Sequence, residues 1–382
     1  MARIICISKY PPLEGGIAAK TFWLCRALAE KGHTVHVVTN TEDIDSEYCS
    51  PGLGTGSDDS MKSVHIHRPQ EKTPWHIPND PHHDVALLNL ALEVMEQYGA
   101  DVIDTGYLIP YGLIGMLASQ MTGVPFILRH GGSDLNKFVE QGIWRNLITC
   151  AVQHASVVIT DREHIKQLSK LSNNVVAIPP YVPNPSLFKM GVAEKSKTTL
   201  ALIGKANYYW RHKGWHRAVE IMRSLGDRFN FLVVSQGLGL TDFKRYAEEN
   251  LKIPIEWRSF VHPMEMPHML RSISGVFALQ GDLPFPVFSN LVLEALYCGV
   301  AVISDNPDMA QSLKDHGLHI DADSSNLLVI PNDRPNEAAE KITQHFDQAI
   351  LAQSGTDHRE VDFATYIELN EKVLLERHLY DK

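Results

Sequence analysis

The 382 residues contain no CxxC pair, no HExxH run, no apolar stretch of membrane-spanning length and no surplus of positive charge. Each absence removes a class of protein. The five cysteines (Cys6, Cys25, Cys49, Cys150 and Cys298) lie scattered, mostly in apolar surroundings. That pattern predicts free, buried thiols in a reducing compartment, not a disulfide scaffold. His65, His67, His82 and His83 lack metal-ligand spacing and are read as surface or loop residues. The N-terminus runs straight into a strand without a signal peptide, so a cytoplasmic location and no transmembrane segment are expected. Asp and Glu outnumber Lys and Arg by 45 to 35, and the imbalance holds on both sides of Met190. A nucleic-acid binder is thereby disfavoured, while peripheral membrane contact through a local patch, and the oligomeric state, stay open.

What is present is an α/β pattern repeated twice. The length exceeds what one hydrophobic core serves, so two domains are expected. A short apolar run (residues 3–8) leads into KYPPLEGGIA, where Pro11 and Pro12 forbid helix and Gly15-Gly16 permit tight backbone geometry. Helical spacing follows from Ile17 to a stop at Gly32, then a second strand at 35–39. This is a Rossmann-type βαβ unit without the full GxGxxG fingerprint. Its two glycines either present backbone N–H groups to an anion at a helix N-terminus or form a plain tight turn. The rhythm continues through residue 179, broken by a long polar stretch at 42–63 and a proline-rich one at 73–83. In the latter, Trp75 and His76 either line a cleft or pack the loop down.

Four further stations carry candidate chemistry. In LRHGGSDL, His130 lies just past a strand's carboxyl end, where open α/β sheets place ligand contacts; a buried structural histidine is the alternative. PPYVPNPSL (179–187) holds four prolines and reads as the link between domains. Beyond it, a strand at 199–203 runs into GKANYYWRHKGWHRA. There Lys205, Arg211 and Lys213 either meet phosphate or form a solvated charge run interrupted by aromatics. In FSNLVLEALYCGVAVISD (288–305), a turn through Asn290 opens a short helix that carries Glu294 near its start. That carboxylate either grips ligand hydroxyls or complements the helix dipole.

In order and spacing these stations resemble the retaining nucleotide-sugar glycosyltransferases of glycosyltransferase family 4, almost end to end. The resemblance implies a GT-B fold: α/β, with two Rossmann-like domains facing a central cleft. Residues 1–187 would bind the acceptor, 188–360 the nucleotide sugar, and 361–382 would form a helix packing back on the first domain. It implies transfer of a sugar from a nucleotide-diphosphate donor, UDP-sugar ahead of GDP-sugar, to an acceptor hydroxyl. No metal or other cofactor is then needed, and front-face attack needs no protein nucleophile. Gly15 and Gly16 would approach the diphosphate or the acceptor, and His130 would face the donor sugar. Lys213 would hold the diphosphate with Lys205, and Arg211 is a rival for that contact. Glu294 would bond the nucleotide ribose, with Asn290 on the donor side and Trp75 and His76 on the acceptor side. One departure stands out: Pro286 occupies a position where the family has Glu, and Asp282 is the nearest carboxylate able to replace it. A catalytically weakened binding or regulatory protein, or a GT-B phosphorylase or epimerase, are the alternative readings.

Overall fold

The protein is described here from a computed structural model, which covers residues 1–50, 63–70, 80–130, 134–135, 142–162, 164–178, 183–188, 198–281, 289–315, 326–349 and 363–376. The chain divides into two compact units, Met1–Pro180 with Phe363–Lys382, and Tyr181–Asp362.

The first unit runs β1 (Arg3–Ile7), α1 (Gly16–Glu30), β2 (Thr34–Val38), β3 (Val64–His67), α2 (Pro81–Tyr98), β4 (Val102–Thr105), α3 (Leu113–Thr122) and β5 (Phe126–Arg129). It continues through α4 (Arg145–His154), β6 (Val157–Thr160), α5 (Ile165–Leu168) and β7 (Val175–Ala177). The central strands β1, β4 and β6 are short and almost wholly buried, as parallel strands covered on both faces are. They form one parallel sheet in the order β3-β2-β1-β4-β5-β6-β7. The chain winds outward from β1 in one direction and from β4 in the other, so the topological switch point lies between β1 and β4.

The second unit begins with α6 (Pro185–Phe188), then β8 (Thr199–Ile203), α7 (Trp215–Leu225), β9 (Asn230–Val234), α8 (Leu240–Asn250), β10 (Ile255–Arg258), α9 (Met266–Arg271) and β11 (Gly275–Phe277). It closes with α10 (Asn290–Tyr297), β12 (Ala301–Ser304), α11 (Met309–Asp315), β13 (Leu327–Val329) and α12 (Pro335–Ala349). Its parallel sheet has the order β10-β9-β8-β11-β12-β13, and the switch point falls between β8 and β11. Helix α7 shows why the pattern folds this way. Trp215, Ala218, Val219 and Met222 recur at helical spacing and are buried in the core shared with Phe231, Val233 and Phe346.

The boundary between the two units falls within the proline-rich stretch, between Pro180 and Tyr181. Pro185 sits in the first turn of α6, where its missing N–H costs nothing, and Phe188 is fully buried. Helix α13 (Phe363–Leu375) belongs to the first unit. It is tied there by polar contacts as well as apolar ones. Arg129 Nη1 donates to Asn370 Oδ1 at 2.6 Å, and Glu371 accepts from Lys31 Nζ and pairs with His33 Nε2, each at 2.9 Å. Of the histidines expected on the surface, His65 and His82 are exposed and His67 is half-buried, whereas His83 is drawn inward. His83 is fully buried in the first turn of α2, and His36, His65 and His67 stack along β2 and β3. The cause is register: the parallel pairing sets His36 opposite His65 and Val38 opposite His67. All five cysteines are free thiols; Cys6, Cys25 and Cys298 are buried, and Cys49 and Cys150 are half-buried. Among the described residues no helix is long and apolar enough to cross a membrane.

Candidate active site

Both switch points carry a loop singled out by the sequence. In the first unit the loop after β1 is pinned by its neighbours: Glu14 N–H donates to Tyr48 O at 2.8 Å, Ser50 N–H to Pro12 O at 2.8 Å, and Tyr10 packs on Phe22. Gly15 caps α1 with φ 112° and ψ 166°, a conformation that essentially only glycine adopts. A Cβ at Gly15 or Gly16 would meet nothing within 4 Å. The glycines therefore serve backbone shape and leave the α1 N-terminus open to approach.

The equivalent loop of the second unit is built from cations and aromatics. Trp210 is buried, donates Nε1–H to Asp242 Oδ2 at 3.1 Å, and packs on Phe243 and Tyr246. Gly237 and Gly239 let residues 206–207 approach closely: a Cβ there would lie 2.4 Å from Ala206 O and 2.3 Å from Asn207 O. Within this frame Lys213 Nζ donates to the carbonyl of Lys205 at 3.0 Å, so the two lysines are brought together. Arg211 is placed differently. Its guanidinium lies over the rings of Trp210 and Tyr246, 4.3 and 4.7 Å from their centroids. Gly281, just past β11, seals the loop, since a Cβ on it would come within 2.1 Å of His212 O.

Helix α10 starts at Asn290, with Ser289 Oγ accepting the Leu291 N–H at 3.2 Å. Glu294 is the fifth residue of the helix, not part of its first turn, and only 8% exposed among Val292, Leu293, Ala295 and Leu296. Beyond the first turn the dipole contributes little, so dipole compensation does not explain a carboxylate at this depth. Its neighbour Cys298 is inert: burial pushes the thiol up to about 12, Arg271 opposing and the Glu294 charge adding.

In the first unit, His130 projects from the end of β5 into an enclosed polar cluster, its side chain 2% exposed. Its Nε2 lies 2.6 Å from Thr160 Oγ1 at the end of β6, and its Nδ1 lies 3.8 Å from Asp134 Oδ1. Asp134 also accepts the Leu108 N–H at 3.1 Å, which ties the β4–α3 segment to the same cluster. Burial lowers the His130 pKa, the His164 and Lys20 charges adding to this while Asp134 and Asp161 oppose it. The ring is accordingly neutral at pH 7.

Several participants were not foreseen. Asp305 joins two elements of the second unit, accepting Arg217 Nη1–H at 3.0 Å and Gln280 N–H at 2.7 Å. His164 and Asp161 stand beside His130, and at the carboxyl end of β2 Asn40 bridges Tyr111 OH and His83. Trp75, His76, Ser133, Asp282 and Pro286 lie outside the described residues.

Residues 15–179 match the family of glycosyl transferase 4-like domains. A curated relative, the N-acetyl-alpha-D-glucosaminyl L-malate synthase of Bacillus anthracis, is 24% identical over 204 residues, which are 50% of this chain and 49% of the relative. The chain thus spans about half the length of the curated relative it matches. Solved structures align over the whole length. Sucrose-phosphate synthase from Thermosynechococcus elongatus gives a TM-score of 0.69 at 17% identity, covering 100% of this chain and 98% of that one. The Anabaena HepE protein in complex with UDP and glucose gives 0.69 at 14% identity, covering 98% and 99%. A putative UDP-N-acetylglucosamine 2-epimerase from Listeria monocytogenes gives 0.62 at 12%, covering 100% and 97%. The first unit thus matches the glycosyl transferase 4-like family, and the chain as a whole has the GT-B fold of the aligned structures, two Rossmann-like units along its length.

Proposed function

We propose that the protein is a retaining glycosyltransferase that moves a sugar from a UDP-sugar, with GDP-sugar second, to an acceptor hydroxyl in the cytoplasm. The observation that carries this reading is the cationic loop at the second unit's switch point, where Lys213 is folded against the Lys205 carbonyl. It supports a diphosphate site because departure of a nucleoside diphosphate develops negative charge, and preorganised cations stabilise charge that appears only in the transition state. Lys213 and Lys205 take the diphosphate, and Glu294 takes the ribose hydroxyls from its buried place on α10. Gly15 and Gly16 admit an anionic group to the backbone of α1. His130, as a neutral imidazole, faces the sugar. Arg211, held over Trp210 and Tyr246, shapes the loop more than it binds phosphate. A UDP-bound Anabaena neighbour supports the donor class, and the malate acceptor named for the Bacillus relative makes a hydroxy acid the first acceptor to try.

The test is a thermal-shift and turnover panel. UDP is expected to raise the melting temperature more than GDP, and UDP-sugars to release UDP in the presence of an acceptor with EDTA present. No shift with either nucleotide would sink the proposal. The Listeria neighbour favours a second reading, isomerisation of a nucleotide sugar. Conversion of the donor without an acceptor and without UDP release would replace the first reading with the second.

A further inference from the structure

A helix that packs one face on a sheet turns polar and charged residues to water on the other. Helix α8 of the second unit does so: Phe243 and Ala247 are buried, while Asp242, Arg245, Glu248 and Glu249 are exposed. Helices α3 and α4 of the first unit bury their inner faces in the same way, Ile114 and Ala118 from one and Ile148 and Val152 from the other, in one shared core. Their outer faces do not follow. Leu117 and Met121 of α3 are 41% and 66% exposed, and Ile143 and Leu147 at the start of α4 are 81% and 46% exposed. The two helices are packed side by side, so these four large apolar groups occupy neighbouring helix faces. A single exposed apolar residue needs no explanation, but a grouping of them marks an interaction surface.

Charge sets this surface further apart. Helix α3 has no charged residue and α4 no acidic one. Arg145 in the first turn of α4 is exposed, and so are Lys166 on α5 and Lys170 just past it. The connections from β4 to β7 all step in one direction across the sheet, which puts α3, α4 and α5 on the same side of it. Residues 113–170 carry six Lys and Arg against four Asp and Glu, within a chain whose net charge is −10. Of those acids, Asp134 is fully buried and Asp161 is bound to His164. A second copy of the chain, meeting this face with its own, would set the cations against each other. An anionic bilayer complements both the apolar and the cationic parts.

We infer that the α3–α4 face of the first unit is a peripheral membrane-contact surface that settles on an anionic phospholipid bilayer. Leu117, Met121, Ile143 and Leu147 enter the boundary between headgroups and acyl chains, and Arg145, Lys166 and Lys170 meet lipid phosphates. The chain lies on the bilayer through folded helices, so the attachment is reversible and weakens as salt screens the charges. The inference concerns the first unit alone and goes beyond the proposed transfer reaction, on which it does not depend.

Co-sedimentation of the full chain with vesicles tests this, using phosphatidylcholine alone or phosphatidylcholine and phosphatidylglycerol in equal parts. Wild type should bind the anionic vesicles in low salt, leave the neutral ones, and be released by high salt. Met121→Ser combined with Ile143→Ser should weaken binding roughly tenfold through lost apolar burial. Lys166→Gln combined with Lys170→Gln should weaken it about 30-fold, the usual worth of two lysines near such a surface. All four side chains are exposed, so both double variants should keep the melting temperature of wild type. A wild type that binds neither vesicle, or binds both equally, overturns the inference. So does full binding by the Met121→Ser, Ile143→Ser variant. A wild-type dimer in light scattering that this variant separates, with no vesicle binding, would assign the face to a second copy of the chain instead.

Discussion

The two units solve the same topological problem with opposite materials. Each is a parallel sheet with a switch point beside its first strand, and each sets a loop there. The first unit strips its loop of side chains at Gly15-Gly16 and moves its polar chemistry to neighbouring strand ends, at His130, Thr160, Asp161 and His164. The second unit loads its loop with Lys205, Arg211 and Lys213 and removes side chains from the segments packed against it, at Gly237, Gly239 and Gly281. An open helix end accepts ligands of many shapes, whereas a clamped cationic loop demands one charge distribution. On the function proposed above, that division suits an acceptor side free to vary and a donor side fixed on a diphosphate.

The largest expected effect breaks the comparison from the first unit's side. Arg129, the residue before His130, is enclosed; burial opposes its charge, but Asp104 Oδ1 at 2.6 Å from Nε, with further help from Tyr366 and Cys6, raises its pKa overall. Its Nη1 reaches Asn370 of α13. Asp104→Asn leaves a buried guanidinium without its counter-charge, and such losses cost about 3–5 kcal/mol. Urea unfolding should show this, with loss of protease resistance at α13 before the second unit opens. An unchanged midpoint would mean that Arg129 is not the link between β5 and the C-terminal helix. Next in size, Lys213→Ala should cut kcat by roughly 100- to 1000-fold, the range for removing one preorganised charge-stabilising donor. Arg211→Ala should do far less to turnover, since its guanidinium lies over Trp210 and Tyr246. Equal losses from the two would show that the loop rearranges on binding donor.

Much of this architecture was legible beforehand, for physical reasons that differ by element. Buried parallel strands such as 199–203 and 301–304 announce themselves as short apolar runs, and α7 by its Trp215, Ala218, Val219, Met222 spacing. Glu294 was legible as a residue of interest but not as a buried one, because helix onset at Asn290 decides whether it lies in the first turn. The ties that position the site were not legible. Arg217 meets Asp305 across 88 positions and Arg129 meets Asn370 across 241, and no local pattern encodes such pairs. His164 is the intermediate case. Asp-x-x-His after a strand signals a local turn, and only the fold sets that turn against His130.

A smaller effect sharpens the glycine half of the comparison. Gly15 holds a backbone conformation that costs any L-residue about 1–3 kcal/mol, so Gly15→Ala should destabilise by that amount although nothing blocks the added methyl. Gly16 lies in α1 with the same open surroundings, and Gly16→Ala should be neutral or slightly stabilising. If both variants kept full stability, the φ of 112° at Gly15 would not be a constraint on this loop.

The smallest effect concerns pH and belongs to the first unit alone. His36 lies between His67, His65 and Tyr98, with Nδ1 2.9 Å from His67 Nε2. Burial, followed by the charges of His67 and His65, lowers its pKa to about 4, and burial and His65 lower that of His67 as well. The unfolded chain, with histidines near 6.5, binds these protons more readily than the folded one. The stabilisation is therefore complete above pH 6.5 and is lost as pH falls from there towards 4. The ionised carboxylate of Asp161 contributes its own acid loss only below about 3.8, a lower window. His36→Phe keeps a ring against Tyr98 but removes the proton site. Between pH 6.5 and 4 its melting temperature should fall less steeply than that of wild type. Parallel curves for the two proteins would show that the stacked histidines titrate alike in the folded and unfolded chain.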